Sequence, residues 1–128
     1  MAVLGVGGFL FRATDPEGLK AWYATHLGVG AGCVGDPALA PDPHCWQAGA
    51  GPLMFAPLAR DTDMLPADKG FMLNFRVSDL AALRARLGAA GIAVETRDEW
   101  DALGVGRFAR LHDPEGNPIE LWEPPAEA

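Results

Sequence analysis

The chain nearly repeats itself at half its own length, and this repeat constrains its fold more than any other feature. Residues 10–15 read LFRATD and residues 74–79 read NFRVSD, so that a phenylalanine, an arginine and an aspartate each recur 64 positions later. The register continues into the next stretch, where LKA at 19–21 faces LRA at 83–85. An offset of 64 in a chain of 128 residues predicts two copies of one structural unit.

The first copy predicts a strand followed by a capped amphipathic helix. The apolar stretch within residues 3–13 indicates the strand, and Thr14 or Asp15 is suited to cap the helix, with Pro16 at its first position. Gly28 is placed to end the helix in a left-handed conformation. Apolar residues recur with helical periodicity at Leu19, Trp22, Tyr23 and Leu27.

The second copy carries the same signals in the same order. Ser78 or Asp79 is suited to cap its helix, and Gly88 or Gly91 to end it. Further on, residues 113–117 read DPEGN, which is a strong turn signal because proline stands second and glycine supplies a positive φ. The apolar stripe of this helix consists of Leu80, Leu83 and Leu87.

Each copy therefore predicts a βαβββ module, and the pair predicts an α+β fold. The modules span residues 1–57 and 71–124, a polar linker covers 58–70, and together they form one domain over 1–124. We expect a curled mixed β-sheet that forms a cleft, with the helices on its outer face. The shorter strands are expected at 30–35, 44–48 and 52–56 in the first module and at 92–96, 107–112 and 118–123 in the second.

Charge and composition exclude several classes of function. The net charge of −7, with no run of Lys and Arg, argues against a nucleic-acid partner. The apolar start has no basic leader and is too short to span a bilayer, which argues against a membrane partner and for a cytoplasmic location. Cys33 and Cys45 form no CxxC pair and are expected to be reduced, with a bridge between neighbouring strands as the alternative.

Strand alternation separates a helix-facing side from a side that faces the cleft. The cleft side carries Arg12 in the first module and Met72, Asn74 and Arg76 in the second, with the two arginines at equivalent positions. Arginines bind carboxylates bidentately, so this pair is either an anion site or a set of surface ion pairs. Trp46 and Trp122 are candidates to stack on a flat ligand, unless they belong to the core. The helix-facing side is expected to carry Phe9, Phe11, Ala13, Leu73, Phe75 and Val77.

The motifs resemble the vicinal oxygen chelate superfamily, which contains glyoxalase I, bleomycin resistance proteins and extradiol dioxygenases. The resemblance rests on FRATDP at 11–16, WY at 22–23, LG at 27–28, NFRVSDL at 74–80, GRFA at 106–109 and DPEGNPIELWEP at 113–124. It implies paired βαβββ modules around a cleft and, commonly, a dimer. We therefore expect a homodimer that binds a small molecule.

The resemblance also implies where a metal would bind. In metal-using relatives the first and last strands of each module supply up to four ligands. The corresponding positions here hold Gly8, Met72, Glu120 and Met54, or Phe55 if the register shifts by one. Only Glu120 suits a hard cation, so no metal is expected, and a zinc, nickel, iron or manganese site is the alternative. The histidines, at 26, 44 and 112, have no compact ligand spacing.

Three classes of function follow from this pattern. The favoured one is a bleomycin-resistance-like protein that binds a small molecule without a metal. The alternative is a lyase or isomerase of the glyoxalase type that uses Glu120 as a catalytic base or metal ligand. A regulatory subunit with a vestigial cleft is the third class. A ring-cleaving dioxygenase has the least support, because no set of two histidines and a carboxylate is evident.

Overall fold

A three-stranded mixed sheet from the second half of the chain organises the fold. The computed structural model describes residues 2–30 and 45–126. The architecture is α+β, as predicted. In chain order its elements are α1 (Pro16–Leu27), β1 (Leu73–Arg76), α2 (Leu80–Ala89), α3 (Asp98–Asp101), β2 (Arg107–His112) and β3 (Pro118–Glu123).

Strand β3 lies in the middle of the sheet, parallel to β1 and antiparallel to β2. Its Ile119 and Leu121 are fully buried and lie beside Leu111 and Ala109 of β2. Burying a side chain such as leucine contributes about 2 kcal/mol, so this face holds the sheet against the helices. The core is completed from the helices by Leu19, Tyr23, Leu80, Leu83 and Leu87.

Both predicted helices begin at one of the predicted N-cap residues. At its end, α2 has Ala90 as its C-cap, just before Gly91, and the alternative Gly88 lies inside the helix. The Asp15 carboxylate accepts a hydrogen bond from the Gly18 N–H at 3.1 Å, and Gly28 ends α1 with φ of 69°. The Asp79 carboxylate caps α2 in the same way, accepting from the Ala82 N–H at 3.1 Å. Repeated local signals thus produce equivalent helices in the two halves of the chain.

The strands of the first half are the main departure from the prediction. Residues 3–13 and 52–56 form no strand, and Leu4, Leu10 and Phe55 are 97%, 92% and 85% exposed. A strand exists only where a second backbone satisfies its N–H and C=O groups, and these segments have no ladder partner among the described residues. The segments at 30–35 and 44–48 extend outside the described residues.

Two further expectations are corrected within the described part of the chain. The strand at 92–96 is reduced to a single antiparallel bridge between Glu95 and Arg110. Phe75, Val77 and Ala13 pack against the core as expected. Phe9 and Phe11 instead form an aromatic cluster with Phe71, with ring centroids 5.0 and 5.5 Å from the Phe71 ring.

The turn at 113–117 does more than reverse the chain. Asp113 is buried, and its carboxylate accepts hydrogen bonds from the Tyr23 hydroxyl at 2.7 Å and from the Asn117 amide at 2.7 Å. It also accepts from the backbone N–H groups of Glu115 and Asn117, at 2.8 and 3.0 Å. The Asp113 carboxylate therefore joins α1 to the β2–β3 turn.

Glu115 adds a second connection between the same regions. Its carboxylate accepts hydrogen bonds from the backbone N–H groups of Thr14 and Asp15, at 2.6 and 3.0 Å. The first turn of α1 is thereby held against the closing motif of the chain.

Tyr23 is expected to make stability depend on alkaline pH. Burial, the hydrogen bond to Asp113 and the charge of that carboxylate together raise the pKa of Tyr23. Above pH of about 10 the unfolded chain loses the tyrosine proton while the folded protein keeps it, so stability falls by up to about 1.4 kcal/mol per pH unit. Below that pH the contribution is fully present.

The measurement is simple because Tyr23 is the single tyrosine of the chain. Tyrosinate absorbance should appear together with unfolding, and Tyr23→Phe should lose this component of the alkaline transition. Ionisation near pH 10 with the fold intact would contradict the assignment.

Two remaining expectations concern the cysteines and the membrane. Cys45 is disulfide-bonded, so the expectation of a reduced thiol is wrong for this residue; Cys33 lies outside the described residues. None of the helices over residues 2–30 and 45–126 has the length and apolar character to cross a bilayer. The cytoplasmic location stays a prediction.

Candidate functional site

The sheet face opposite the helices carries an array of polar side chains. Asn74 of β1 and Arg110 of β2 both lie directly beside Glu120 of β3 in the strand register. Because neighbours in register point to the same side of a sheet, the three side chains converge on one face. We call this surface the polar face, and it includes the outer residues Arg76, Phe108 and Trp122 of the same strands.

Glu120 is the centre of the polar face. Asn74 donates a hydrogen bond from Nδ2 to one Glu120 carboxylate oxygen at 2.8 Å, and Arg110 donates from Nε to the other at 3.1 Å. The Glu120 side chain is 10% exposed and that of Arg110 is 24% exposed. The buried carboxylate of Glu120 is thus compensated by the Arg110 guanidinium.

Arg110 also contacts an aromatic residue that the sequence did not indicate. Its guanidinium carbon lies 4.4 Å from the centroid of the Trp100 ring on the short helix α3. The Arg97 guanidinium approaches the same ring at 5.5 Å. These cation–π contacts place Trp100 beside the Glu120–Arg110 pair.

Trp122 is held in a defined orientation at the other end of the face. Its indole Nε1 donates a hydrogen bond to the Val105 carbonyl at 2.7 Å, and its ring stacks on Phe108 at 6.4 Å and 11°. Gly106 makes this approach possible: its φ is 122°, and an added Cβ would lie 2.6 Å from the indole nitrogen. A fixed indole is better suited to stack on a ligand than a mobile one.

The structure brings four of the predicted site residues to one face and separates others. Asn74, Glu120, Arg76 and Trp122 occupy neighbouring register positions on β1 and β3. Trp46 instead packs on Phe75, at 5.8 Å, on the side of the core. Their roles in ligand binding or catalysis stay predictions.

Neither predicted arginine forms an anion site with the other in the described structure. Arg76 donates hydrogen bonds to the backbone carbonyls of Gly49, at 2.9 Å, and Ala50, at 3.3 Å. Arg12 is exposed and contacts no charged partner among the described residues. Met72 is half-buried just before β1.

The residues at the four implied metal positions do not fit a hard divalent cation. Gly8 has no ligand atom, Met54 is 70% exposed, and thioethers such as that of Met72 prefer soft metals. Each oxygen of Glu120 already accepts one hydrogen bond, from Asn74 or Arg110, and the Arg110 guanidinium repels a cation. Within residues 2–30 and 45–126, no cluster of three His, Cys, Asp or Glu side chains is arranged to bind one.

Neither histidine of the described residues supplies a missing ligand. His26 lies in the last turn of α1 against Trp22, and His112 is exposed at the end of β2. His44 lies outside the described residues.

Two cavities lie beside α2 rather than on the polar face. A cavity of about 200 Å³ lies between the start of α2, residues 96–101 and the start of β2, and one of about 360 Å³ lies along α2 near Ile92 and Val94. The first is lined by charges of both signs, including Arg84, Arg107 and Asp98, and also by Phe108.

The sheet with helices on one face and a polar array on the other defines an α+β protein with an open mixed sheet. Residues 8–122 match the glyoxalase-like domain family, to which this chain belongs. The resemblance to the vicinal oxygen chelate superfamily is thereby confirmed. Among curated proteins, none matches the chain significantly.

Two solved structures extend the comparison over nearly the whole chain. TnmS3, an antibiotic binding protein from Streptomyces sp. CB03234, is 26% identical with a TM-score of 0.56, over 98% of this chain and 99% of that one. Lactoylglutathione lyase from Agrobacterium tumefaciens is 18% identical with a TM-score of 0.57, over 96% of each chain. The second likeness concerns the fold alone.

Proposed function

We propose that the protein binds a flat small molecule on the polar face and does so without a divalent metal. The observation that carries this proposal is the Glu120–Arg110 ion pair, with the Trp100 ring against Arg110 and Trp122 on the same sheet face as Glu120. Aromatic rings with a few fixed polar groups are the usual lining of a small-molecule site. The similarity to TnmS3, an antibiotic binding protein of similar length, also supports the proposal of a small-molecule site.

Binding is favoured over catalysis because Glu120 is already engaged. A general base must lie within reach of the substrate proton, and Glu120 has one hydrogen bond to the protein on each oxygen and a side chain that is only 10% exposed. The alternative, a lyase or isomerase that uses Glu120, is supported by the fold of the lyase and by the burial of this carboxyl group. It predicts turnover that Glu120→Gln abolishes while ligand binding survives.

The experiment is a calorimetric titration with a panel of planar aromatic antibiotics. Trp122→Ala should weaken the binding of any hit by about tenfold, because loss of one stacking ring costs about 1 kcal/mol or more. Trp22→Ala is the control, since Trp22 packs on the core from α1 and should change stability rather than affinity. If Trp122→Ala leaves every affinity unchanged, the ligand does not bind on this face.

We further propose that two copies associate and complete the two-module arrangement. Residues 3–10 and 53–58 expose large apolar side chains such as Leu4, Leu10 and Phe55, which monomers seldom leave in water. Strand β1 is an edge of the sheet and pairs only on its β3 side within the described structure. Light scattering should therefore give a mass of twice 13.5 kDa, and a stable monomer would refute the association.

A further inference from the structure

Arg110 is fixed from three directions. Its Nε donates to Glu120 at 3.1 Å, its guanidinium lies 4.4 Å from the Trp100 ring centroid, and its backbone pairs with that of Glu95 through two hydrogen bonds of 2.8 Å. A guanidinium held by an ion pair and by an aromatic ring has lost most of its freedom before any ligand arrives. Such a group binds with a smaller loss of conformational entropy.

Most N–H donors of the same guanidinium are unused within the described residues. Arginine carries five N–H groups in a planar fork, and the Nε–H is the one that Glu120 uses. The terminal amino groups, Nη1 and Nη2, donate to no residue in the described part of the chain. They are reached by solvent, since the Arg110 side chain is 24% exposed and no buried side-chain nitrogen in this part lacks a partner.

Aromatic side chains near the Arg110 guanidinium restrict which ligands can reach it. Phe108 precedes Arg110 by two residues on β2, and Trp122 follows Glu120 by two residues on β3, so both side chains share the polar face. The Trp100 ring lies against the Arg110 guanidinium. A ligand on this face thus meets apolar ring surfaces next to a pair of charged donors.

We propose that Arg110 is a ligand-binding residue and that its terminal amino groups select aromatic ligands that carry a carboxylate. A carboxylate matches the guanidinium fork with two parallel charge-assisted hydrogen bonds. A cationic ligand is disfavoured here despite the net charge of −7, because the Arg110 guanidinium repels it and the Glu120 carboxylate is already paired with that guanidinium. This inference rests on the proposed function and names the chemical class of its ligand.

The test compares 2-naphthoate with its neutral analogue 2-naphthamide by isothermal titration calorimetry. On the wild-type protein the acid should bind about tenfold more tightly than the amide, the gain expected of a charge-assisted pair. Arg110→Lys keeps a positive charge beside Glu120 but loses the fork and the stacking surface. It should remove most of the preference for the acid and leave the binding of the amide nearly unchanged.

Two further variants separate this role from a structural one. Arg107→Lys lies on the same strand but on the helix-facing side, and it should change neither affinity. Arg110→Gln combined with Glu120→Gln removes both charges together, so that no unpaired carboxylate is left buried. This double variant should still bind the amide and lose its preference for the acid.

The outcomes distinguish this inference from the proposed function. Equal affinities for acid and amide, or a preference that survives Arg110→Lys, would overturn the role of Arg110 while binding on the polar face stands. Binding of other planar compounds but of neither naphthalene probe would overturn the inference in the same way. If no planar compound binds, the proposed function and the inference fail together.

Discussion

Replacing Asp113 with alanine should lower the free energy of unfolding by about 4 kcal/mol, more than any other single change considered for this chain. The carboxylate is buried and accepts hydrogen bonds from the Tyr23 hydroxyl, the Asn117 amide and two backbone N–H groups. Each donor left buried without a partner costs about 1–3 kcal/mol, and part of the total is recovered by water and local rearrangement. Urea unfolding followed by circular dichroism measures the loss.

Two further variants test whether this loss of stability comes from the hydrogen bonds to Asp113. Tyr23→Phe removes one of the four hydrogen bonds and should cost about 1 kcal/mol. Asp61→Ala removes an exposed carboxylate outside the helices and strands and should change stability by less than about 0.5 kcal/mol. A loss at Asp113 no larger than that at Asp61 would mean that the turn does not hold α1 to the sheet.

Replacing Arg110 with methionine should destabilise the protein by about 2 kcal/mol, because it leaves the Glu120 carboxylate without its cation. Breaking a fully buried ion pair costs about 3–5 kcal/mol, and the partial exposure of Arg110 reduces that figure here. Methionine preserves much of the apolar length of the side chain, so the loss reports mainly on the charge.

A double-mutant cycle tests whether the loss of stability arises from the interaction of Arg110 with Glu120. Glu120→Gln in the Arg110→Met background should restore part of the lost stability, because a neutral amide needs no counter-ion and can still accept from Asn74. Arg107→Met is the matched control on the same strand and should have little effect, since Arg107 is exposed. Strictly additive effects of the Arg110 and Glu120 changes would show that the pair contributes nothing.

Much of the second half of the fold could be predicted from local patterns. The strands expected at 107–112 and 118–123 have those bounds in the structure, because an alternating apolar pattern is interrupted by a Pro-Gly turn. The helix caps Asp15 and Asp79 are each one of the two candidates that the sequence offered. Alternation also placed Asn74, Arg76 and Met72 on one side of their strand, as two-residue periodicity requires.

The candidate site was predicted less completely. Glu120, Asn74 and Trp122 were identified, whereas Arg110, Trp100 and Phe108 were missed. Arg110 and Phe108 could have been found from the strand register, because a turn at 113–117 places residue 110 opposite residue 120 and residue 108 opposite residue 122. No sequence pattern indicated Trp100, because α3 is only four residues long and lies outside any repeat or periodic pattern.

By itself the sequence determined the features that depend on neighbouring residues: where helices begin and end, where the chain turns, and which side chains share a face. The tertiary structure alone decided which cation compensates Glu120, which donors surround Asp113, and which apolar segments lack a strand partner. These depend on contacts between distant residues, such as Tyr23 with Asp113 across 90 positions and Asn74 with Glu120 across 46. Local periodicity cannot encode such contacts, because many partners of the same chemical type compete for each group until strand pairing brings one of them within reach.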